Sequence, residues 1–328
     1  MKKKILACLI AVLLCGLAGA YWLLKAPKVS IVMPVYNGAK YLDQTVGFLL
    51  ASDFTDFEFV IIDDGSTDNS WKKMQEFAAQ DNRIKIYKNE KNMGIVKTRN
   101  RGFDLARGQY IAPMDQDDWS LPNRLSLEVK YLDEHPDVDI VDVGTILMAA
   151  YHKGIKEERM GGVCYMMESY ENEAKFYTLD ERDENIKLSL FFSLAVPTQS
   201  AAMMRRRFLD EHHIRYTEGI RYADDYYLYA DMIRAGARFH HIEDIAHVYN
   251  DVREHEQAFM QKQVEEVLAV KNKMFLWAGI SFDGYKNLEI EEYMCRLFDD
   301  LLKVAPEKSR FSRELLKKNQ KLLCQIKE

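Results

Sequence analysis

The 328-residue sequence has no excess of basic residues. Lys and Arg number 45 against 51 Asp and Glu, a net charge of −6. Five lysines (2, 3, 4, 25 and 28) fall in the first 28 residues, so removing them from −6 leaves the remainder at −11. A nucleic-acid binder needs a basic stripe, and this balance excludes one as a partner. Cysteine is scarce: the five, at 8, 15, 164, 295 and 324, form no CxxC or other metal spacing. They read as free thiols without a disulfide framework. Cys164, beside Gly161-Gly162, has no base in view and takes no catalytic role. His212-His213 and His240-His241 are adjacent pairs, not i,i+4 pairs, which argues against a histidine metal site. Repeats, low-complexity tracts and long linkers are also missing. What is abundant is apolar: 48% of residues are hydrophobic and 12% aromatic, enough for a sizeable core and against global disorder.

The longest uncharged run is Ile5 to Leu24, preceded by Lys2-Lys3-Lys4. Its length predicts a membrane-spanning N-terminal helix. The alternative is a cleaved signal peptide, since Ala18-Gly19-Ala20 fits a small-x-small cleavage site. The lysines on both flanks favour a cytoplasmic N-terminus only weakly. The expected organisation is a membrane anchor or signal segment over 1–27, a catalytic domain over 28–250 and a helical region over 251–328.

From residue 29 the pattern alternates. Val29 to Met33, Phe57 to Ile62, Ile84 to Tyr87, Tyr110 to Met114 and Val138 to Val143 read as strands. Helical spacing lies between them, over Gly38–Ala51, Thr67–Ala79, Gly94–Ala106 and Arg124–His135. Such alternation implies βαβ crossovers and an α/β fold with a mostly parallel sheet. Charge runs within 151–190 suggest surface loops or a flap. A strand pattern returns at Ser200 to Met204, and amphipathic helix dominates from Gln257, where the tail is expected to pack on the core or on a partner.

Ligands of such sheets bind beyond the carboxyl ends of the strands. Three polar clusters fall there: Pro34-Val35-Tyr36-Asn37, Asp63-Asp64-Gly65-Ser66, and Asp115-Gln116-Asp117-Asp118. Three carboxylates within four residues repel one another and resist burial unless paired. A hard divalent cation relieves that repulsion, and Mg2+ commonly takes one or two carboxylates plus substrate phosphates. A phosphotransferase aspartate of the DxDx(T/V) kind would follow the first strand, whereas this cluster follows the fourth. From the residues alone, DDGS also suits a simple strand-to-helix turn, and Asp224-Asp225 a helix N-terminus.

Four segments in this order resemble family 2 glycosyltransferases: VSIVMPVYNGAKYL (29–42), FEFVIIDDGSTDNS (57–70), NMGIVKTRNRGFDLARGQYIAPMDQDD (92–118) and YADDYYLYADMIRAG (222–236). The resemblance implies the GT-A fold and a metal-dependent, inverting transfer of a sugar from a nucleotide diphospho-sugar, expected to be a UDP-sugar. The acceptor would be a glycan, lipid-linked or protein hydroxyl in cell-surface glycan synthesis. It implies that Pro34, Tyr36 and Asp64 line the nucleotide base, and that Arg99 lies on the helix closing over the nucleotide. Asp115 and Asp117 would meet the ribose and diphosphate, with Mg2+ or Mn2+ on Asp117 or Asp118. Asp225 would be the general base. Three places depart from the family's pattern. Asp231 stands where Arg or Lys is common, Tyr249 is followed by Asn250, and Val196 to Ser200 matches the acceptor-side segment loosely. These departures motivate the competing expectation of a non-catalytic sugar-nucleotide binder or membrane scaffold.

Overall fold

A computed structural model describes residues 26–149, 174–177, 187, 199–251, 257–278, 280, 290–304 and 317. The first half alternates as expected: β1 (Val29–Val35), α1 (Leu42–Leu50), β2 (Phe57–Asp63), α2 (Ser70–Gln80), β3 (Ile84–Lys88), α3 (Ile95–Leu105) and β4 (Tyr110–Pro113). A short β5 (Trp119–Ser120), α4 (Arg124–Glu134), β6 (Ile140–Ala149) and β7 (Ala174–Tyr177) follow. Then come a 3-10 turn (Gln199–Ala201), β8 (Ala202–Arg205), α5 (Arg206–Glu211), α6 (Asp224–Ala235), β9 (Phe239–Asp251), α7 (Gln257–Trp277) and α8 (Ile290–Lys303).

The strands form one sheet in the order β3-β2-β1-β4-β8-β6-β9-β5, with β7 paired to β6. Every residue of β1 and β2 is buried, as a continuous apolar run between two covered faces requires. Side chains alternate between the faces. Val29, Ile31, Met33 and Val35 join Leu42, Val46 and Leu49 of α1, Met74 of α2, and Leu125, Val129 and Leu132 of α4. Val32 points the other way, into a cluster with Val96 and Phe103 of α3, residues of α6, Val267, Val270, Met274 and Phe275 of α7, and Leu297 and Leu301 of α8. The C-terminal helices therefore share the core of the sheet. This is the three-layer α/β arrangement of the GT-A fold.

The parallel expectation holds for one half of the sheet only. β3, β2, β1 and β4 run parallel. β8 is antiparallel to both β4 and β6, β9 is parallel to β6, and β5 closes the far edge antiparallel to β9. Local patterning sets element type, but direction depends on how the chain returns to the sheet. β1 also runs one turn of the pleat further than read, through Pro34 to Val35. In a parallel ladder a residue's N–H serves one neighbour only, so one proline removes a single bond. The stretch 151–190, read as loops, contributes β7, and its other positions except 187 lie outside the described residues.

Two further expectations are corrected. Among the described residues no helix is long and apolar enough to cross a membrane, which overturns the reading of a membrane-attached protein. The run that prompted it, residues 5–24, lies outside the described residues. Cys295, read as a free thiol, is disulfide-bonded. The cysteine nearest to it in the sequence is Cys324, so no short-range spacing marks it.

Candidate active site

Strand register brings the polar clusters to one edge. Val35 lies opposite Asp63, and Val32 opposite Pro113, so β1, β2 and β4 end close together. The order of β2-β1-β4 places the switch point between β1 and β4, where a crevice opens in such sheets. The backbone N–H groups of Asp64 and Met114 donate to the carbonyls of Val35 (2.7 Å) and Val32 (2.9 Å), extending the alignment past the strand ends.

The β1 and β2 ends are laced together. Asn37, with φ 49°, donates its N–H to Ser66 Oγ at 3.0 Å and accepts from the Thr67 N–H at 2.8 Å. Asp68 accepts from the N–H groups of Ala39 (3.1 Å) and Ser70 (2.9 Å), ordering the entry to α2. Asp63 is fully buried and accepts from the Ser66 N–H at 3.2 Å, within the turn. Gly65, at φ 73°, permits that turn, and a Cβ there would stand 2.7 Å from Asn92 N. Asp64 is buried too. Its Oδ1 accepts from Asn89 Nδ2 (2.7 Å) and the Met93 N–H (2.8 Å), and its Oδ2 from the Gly94 N–H (2.9 Å). A carboxylate has about four lone-pair sites, so Oδ2 retains room for one more donor. Pro34 lies inside β1, buried opposite Ile62, while Tyr36 is exposed at the edge.

The acidic cluster after β4 faces several ways at once. Gln116 pairs with the Tyr36 backbone, accepting from its N–H at 3.0 Å and donating to its carbonyl at 3.3 Å, which ties the cluster to the β1 end. Asp118 turns inward and is buried. Its oxygens accept from Ser200 Oγ and from the Asn250 N–H (3.0 Å), with His247 Nε2 at 3.5 Å. Asp115 and Asp117 are half-buried. Among the described residues no group of three or more His, Cys, Asp or Glu is arranged to hold a metal. Asp115 and Asp117 offer hard carboxylate oxygens, the ligand type that holds Mg2+ together with substrate phosphates.

Arg99 stands at the centre. From α3 it reaches Asp115 Oδ1 with Nη2 at 2.5 Å and Asp224 Oδ2 with Nη1. Burial opposes its charge, but Asp224 and Asp115 outweigh that and hold the guanidinium firmly protonated. Its Cζ lies 5.4 Å from the Tyr216 ring centre. The Gln199 amide, with its oxygen toward Arg99, accepts from Nη1 at 3.0 Å and donates to the Tyr216 hydroxyl at 2.8 Å. Asn100, next on α3, holds the Tyr216 backbone by two bonds of 2.9 Å. Asp225 follows Asp224 in the first turn of α6, half-buried, with Oδ1 accepting from the Tyr226 N–H at 2.7 Å. Burial, and secondarily the Asp224 carboxylate, push the Asp225 carboxyl up to about 7. A carboxylate tuned there can take a proton near neutral pH.

The model of the family described as glycosyl transferase family 2 matches residues 30–212, more than half of the chain. The chain belongs to this family. An uncharacterized glycosyltransferase of Haemophilus influenzae is 26% identical over 213 residues, covering 65% of this chain and 62% of that protein. Glycosyltransferase GlyG of Streptococcus pneumoniae is 35% identical over 113 residues, covering 34% of this chain and 37% of that one. The chain thus spans less than two thirds of the length of these curated relatives. The crystal structure of S. aureus TarS 1-349 in complex with UDP-GlcNAc matches with a TM-score of 0.54 at 19% identity, over 91% of this chain and 90% of that one, which shows a common fold.

As a glycosyl transferase of family 2, the chain carries the β1, β2 and β4 clusters inside the matched residues, while Asp224-Asp225 and α7 lie beyond them. The structure joins Arg99, Asp115 and Asp224 directly and places Asp225 beside them. It separates Asp118 from that group, on the β9 side. Three contributors had no singled-out role in the sequence reading: Gln116, Gln199 and Tyr216. Gln116 was visible as the one amide inside the acidic run. Gln199 lies inside the Val196 to Ser200 segment without standing out, and Tyr216 carries no local signal, since their partners are 100 or more residues away on α3.

Proposed function

We propose that this chain transfers a sugar from a nucleotide diphospho-sugar, first among them a UDP-sugar, to an acceptor hydroxyl with inversion at the anomeric carbon. The observation that carries the reading is the Arg99 clamp: one buried cation draws the acidic motif after β4 and the acidic motif of α6 onto the same sheet edge. TarS, which shares the fold, is seen with UDP-GlcNAc and with UDP, and these are the first donors to try.

In this reading the exposed Tyr36 ring stacks on the base at the end of the strand that holds Pro34, and the spare acceptor site of Asp64 Oδ2 takes a base N–H. Asp115 and Asp117 face the ribose and diphosphate. Asp117 is the metal-side carboxylate, because the oxygens of Asp118 are directed to Ser200 and Asn250. Bound Mg2+ or Mn2+ would supply charge stabilisation for the departing diphosphate. Asp225 accepts the proton of the acceptor hydroxyl as that oxygen bonds to the anomeric carbon. The bond from that carbon to the phosphate oxygen breaks in the same displacement, and the nucleoside diphosphate leaves. One base without a second nucleophile gives a single displacement. The acceptor is a hydroxyl on a glycan, a lipid-linked saccharide or a protein.

The test is Asp225→Asn. A general base contributes about 10²–10⁴-fold, so turnover of a UDP-sugar panel should fall by that factor while UDP binds within about twofold of the parent. Loss of UDP affinity in place of turnover would remove Asp225 from the base role. No turnover of any donor by the parent chain, with UDP still bound, would favour a non-catalytic binder.

A further inference from the structure

α7 does more than cover the core. Glu266, on this helix, accepts three successive backbone N–H groups from the segment that leads into α6. Arg221 and Ala223 reach its Oε2 at 3.1 and 3.0 Å, Tyr222 at 2.6 Å, and Arg221 also lies 3.2 Å from Oε1. Ala223 is the residue at the start of α6, and it has no polar side chain with which to cap that helix. Helix N-termini leave such donors unsatisfied, and a carboxylate accepts them with charge-assisted bonds about twice as strong as neutral ones. The same face of α7 continues at the helical spacing 266, 270, 273, 277. Val270 is fully buried in the cluster that contains Tyr226 and Leu228. Lys273 Nζ pairs with Asp231 at 3.1 Å and lies 5.1 Å from the Tyr227 ring centre. Trp277 receives the Arg234 guanidinium at 5.3 Å. The acidic Asp231, which stands where relatives of the fold family commonly have a cation, is thus answered by a cation from α7.

We propose that Glu266 is a positioning residue for the base: α7 clamps the backbone immediately before Asp224-Asp225 and so sets where the Asp225 carboxylate meets the acceptor. This rests on the reading of Asp225 as base. It does not require Glu266 to touch donor or acceptor. The nucleotide side is built on β1, β2 and β4 and meets α6 through Arg99 alone among these contacts, which Glu266 does not touch, so loosening the backbone before α6 should impair transfer more than it loosens the nucleotide.

The experiment compares Glu266→Ala, Glu266→Asp and Glu266→Gln in the full chain, measuring kcat with a UDP-sugar, UDP affinity, and amide hydrogen exchange over 221–226. Glu266→Ala should lower kcat about tenfold or more, leave UDP affinity within about twofold, and speed exchange over 221–226 but not in β1 or β4. Glu266→Gln retains an oxygen acceptor and should recover most of the turnover. Glu266→Asp keeps the charge but falls short of the three donors, so it should show the same split as the alanine variant, and it decides the matter if the alanine variant does not fold. Unchanged kcat in Glu266→Asp, or kcat and UDP affinity falling together, overturns the proposal. Asp225→Asn run in parallel separates the two readings. If that variant still transfers, the base assignment fails, while the exchange data still report whether Glu266 holds the segment.

Discussion

The two acidic motifs of this molecule are built in opposite ways. The cluster at Asp115–Asp118 grows from its own strand: β4 ends, four polar positions follow, and Gln116 fastens them to the neighbouring β1 end. Asp224-Asp225 has little local support. Its position comes from Arg99, 125 residues earlier, and from Glu266, some 43 to 45 residues later at the preceding backbone. A motif that carries its own scaffold is visible as a string of letters. One that borrows its scaffold is visible only as two aspartates at the start of a helix, a place where acids occur for dipole reasons alone. The lesson is that the chemistry of the second motif, including the raised Asp225 carboxyl, belongs to its neighbours and not to its sequence.

Removing the shared cation should break the contrast most. Arg99→Met leaves Asp115 and Asp224 near one another without it, and truncating one side of a buried ion pair costs about 3–5 kcal/mol. Denaturant unfolding should show a loss of that order. Replacing Asp224 by Asn as well should return part of it, because the uncompensated charge is then gone.

A finer cut lies within the first motif. Asp118→Ala strands Ser200 Oγ and the Asn250 N–H, each otherwise bonded to it. Leaving buried donors unsatisfied costs about 1–3 kcal/mol apiece, so this variant should melt lower. Asp117→Ala, at a half-buried position, should lower Tm less than Asp118→Ala does and lose metal-dependent UDP binding, as isothermal titration with and without Mn2+ would register. The reverse pattern would exchange the two roles.

pH separates the motifs by a smaller but directional effect. The Asp225 carboxyl is raised from 3.8 to about 7, and a base works only when ionised. On the acid side of about 7, kcat/KM should therefore fall about tenfold per pH unit, and on the alkaline side it should level off. UDP affinity should not follow that curve. A profile flat from pH 5 to 9 would place the rate-determining proton elsewhere.

A last cut tests the local scaffold itself. Gly65→Ala forces a side chain into φ 73° with its Cβ 2.7 Å from Asn92 N. Strain of about 1–3 kcal/mol should appear as weaker UDP binding and a lower Tm, with the pH profile of turnover unchanged.

Much of this was legible before any coordinates. The α/β alternation and the convergence of three polar clusters follow from strand periodicity and from where polar residues interrupt it, while the downstream acid stood out only through the resemblance to the family. Helices α1 to α4 were recognised within a few residues of their ends. Other features were not legible, for identifiable reasons. The antiparallel insertion of β8 depends on how the chain returns to the sheet, which no short window encodes. The inward turn of Asp118 depends on β9 and the 3-10 turn at Gln199–Ala201 standing behind it. The C-terminal helices read as amphipathic tail without chemistry, because Glu266 and Lys273 look like any solvated charges until their partners on α6 are known. The apolar N-terminal run suggested a membrane protein, a reading that rested on hydropathy alone and drew no support from the described helices.

The sequence by itself determined the alternating elements of the first half, the buried β1 and β2, the edge on which the polar clusters meet and the family to which the chain belongs. These depend on periodicity and on turn chemistry within about a dozen residues, and such information is written locally. Only the tertiary structure decided which aspartate turns inward, which cation joins the two acidic motifs, and which helix holds the backbone that leads into Asp224-Asp225. Each of those is a charge or hydrogen bond satisfied across more than 40 residues of chain. A buried charge needs a partner, but the need does not say where along the chain that partner will be found.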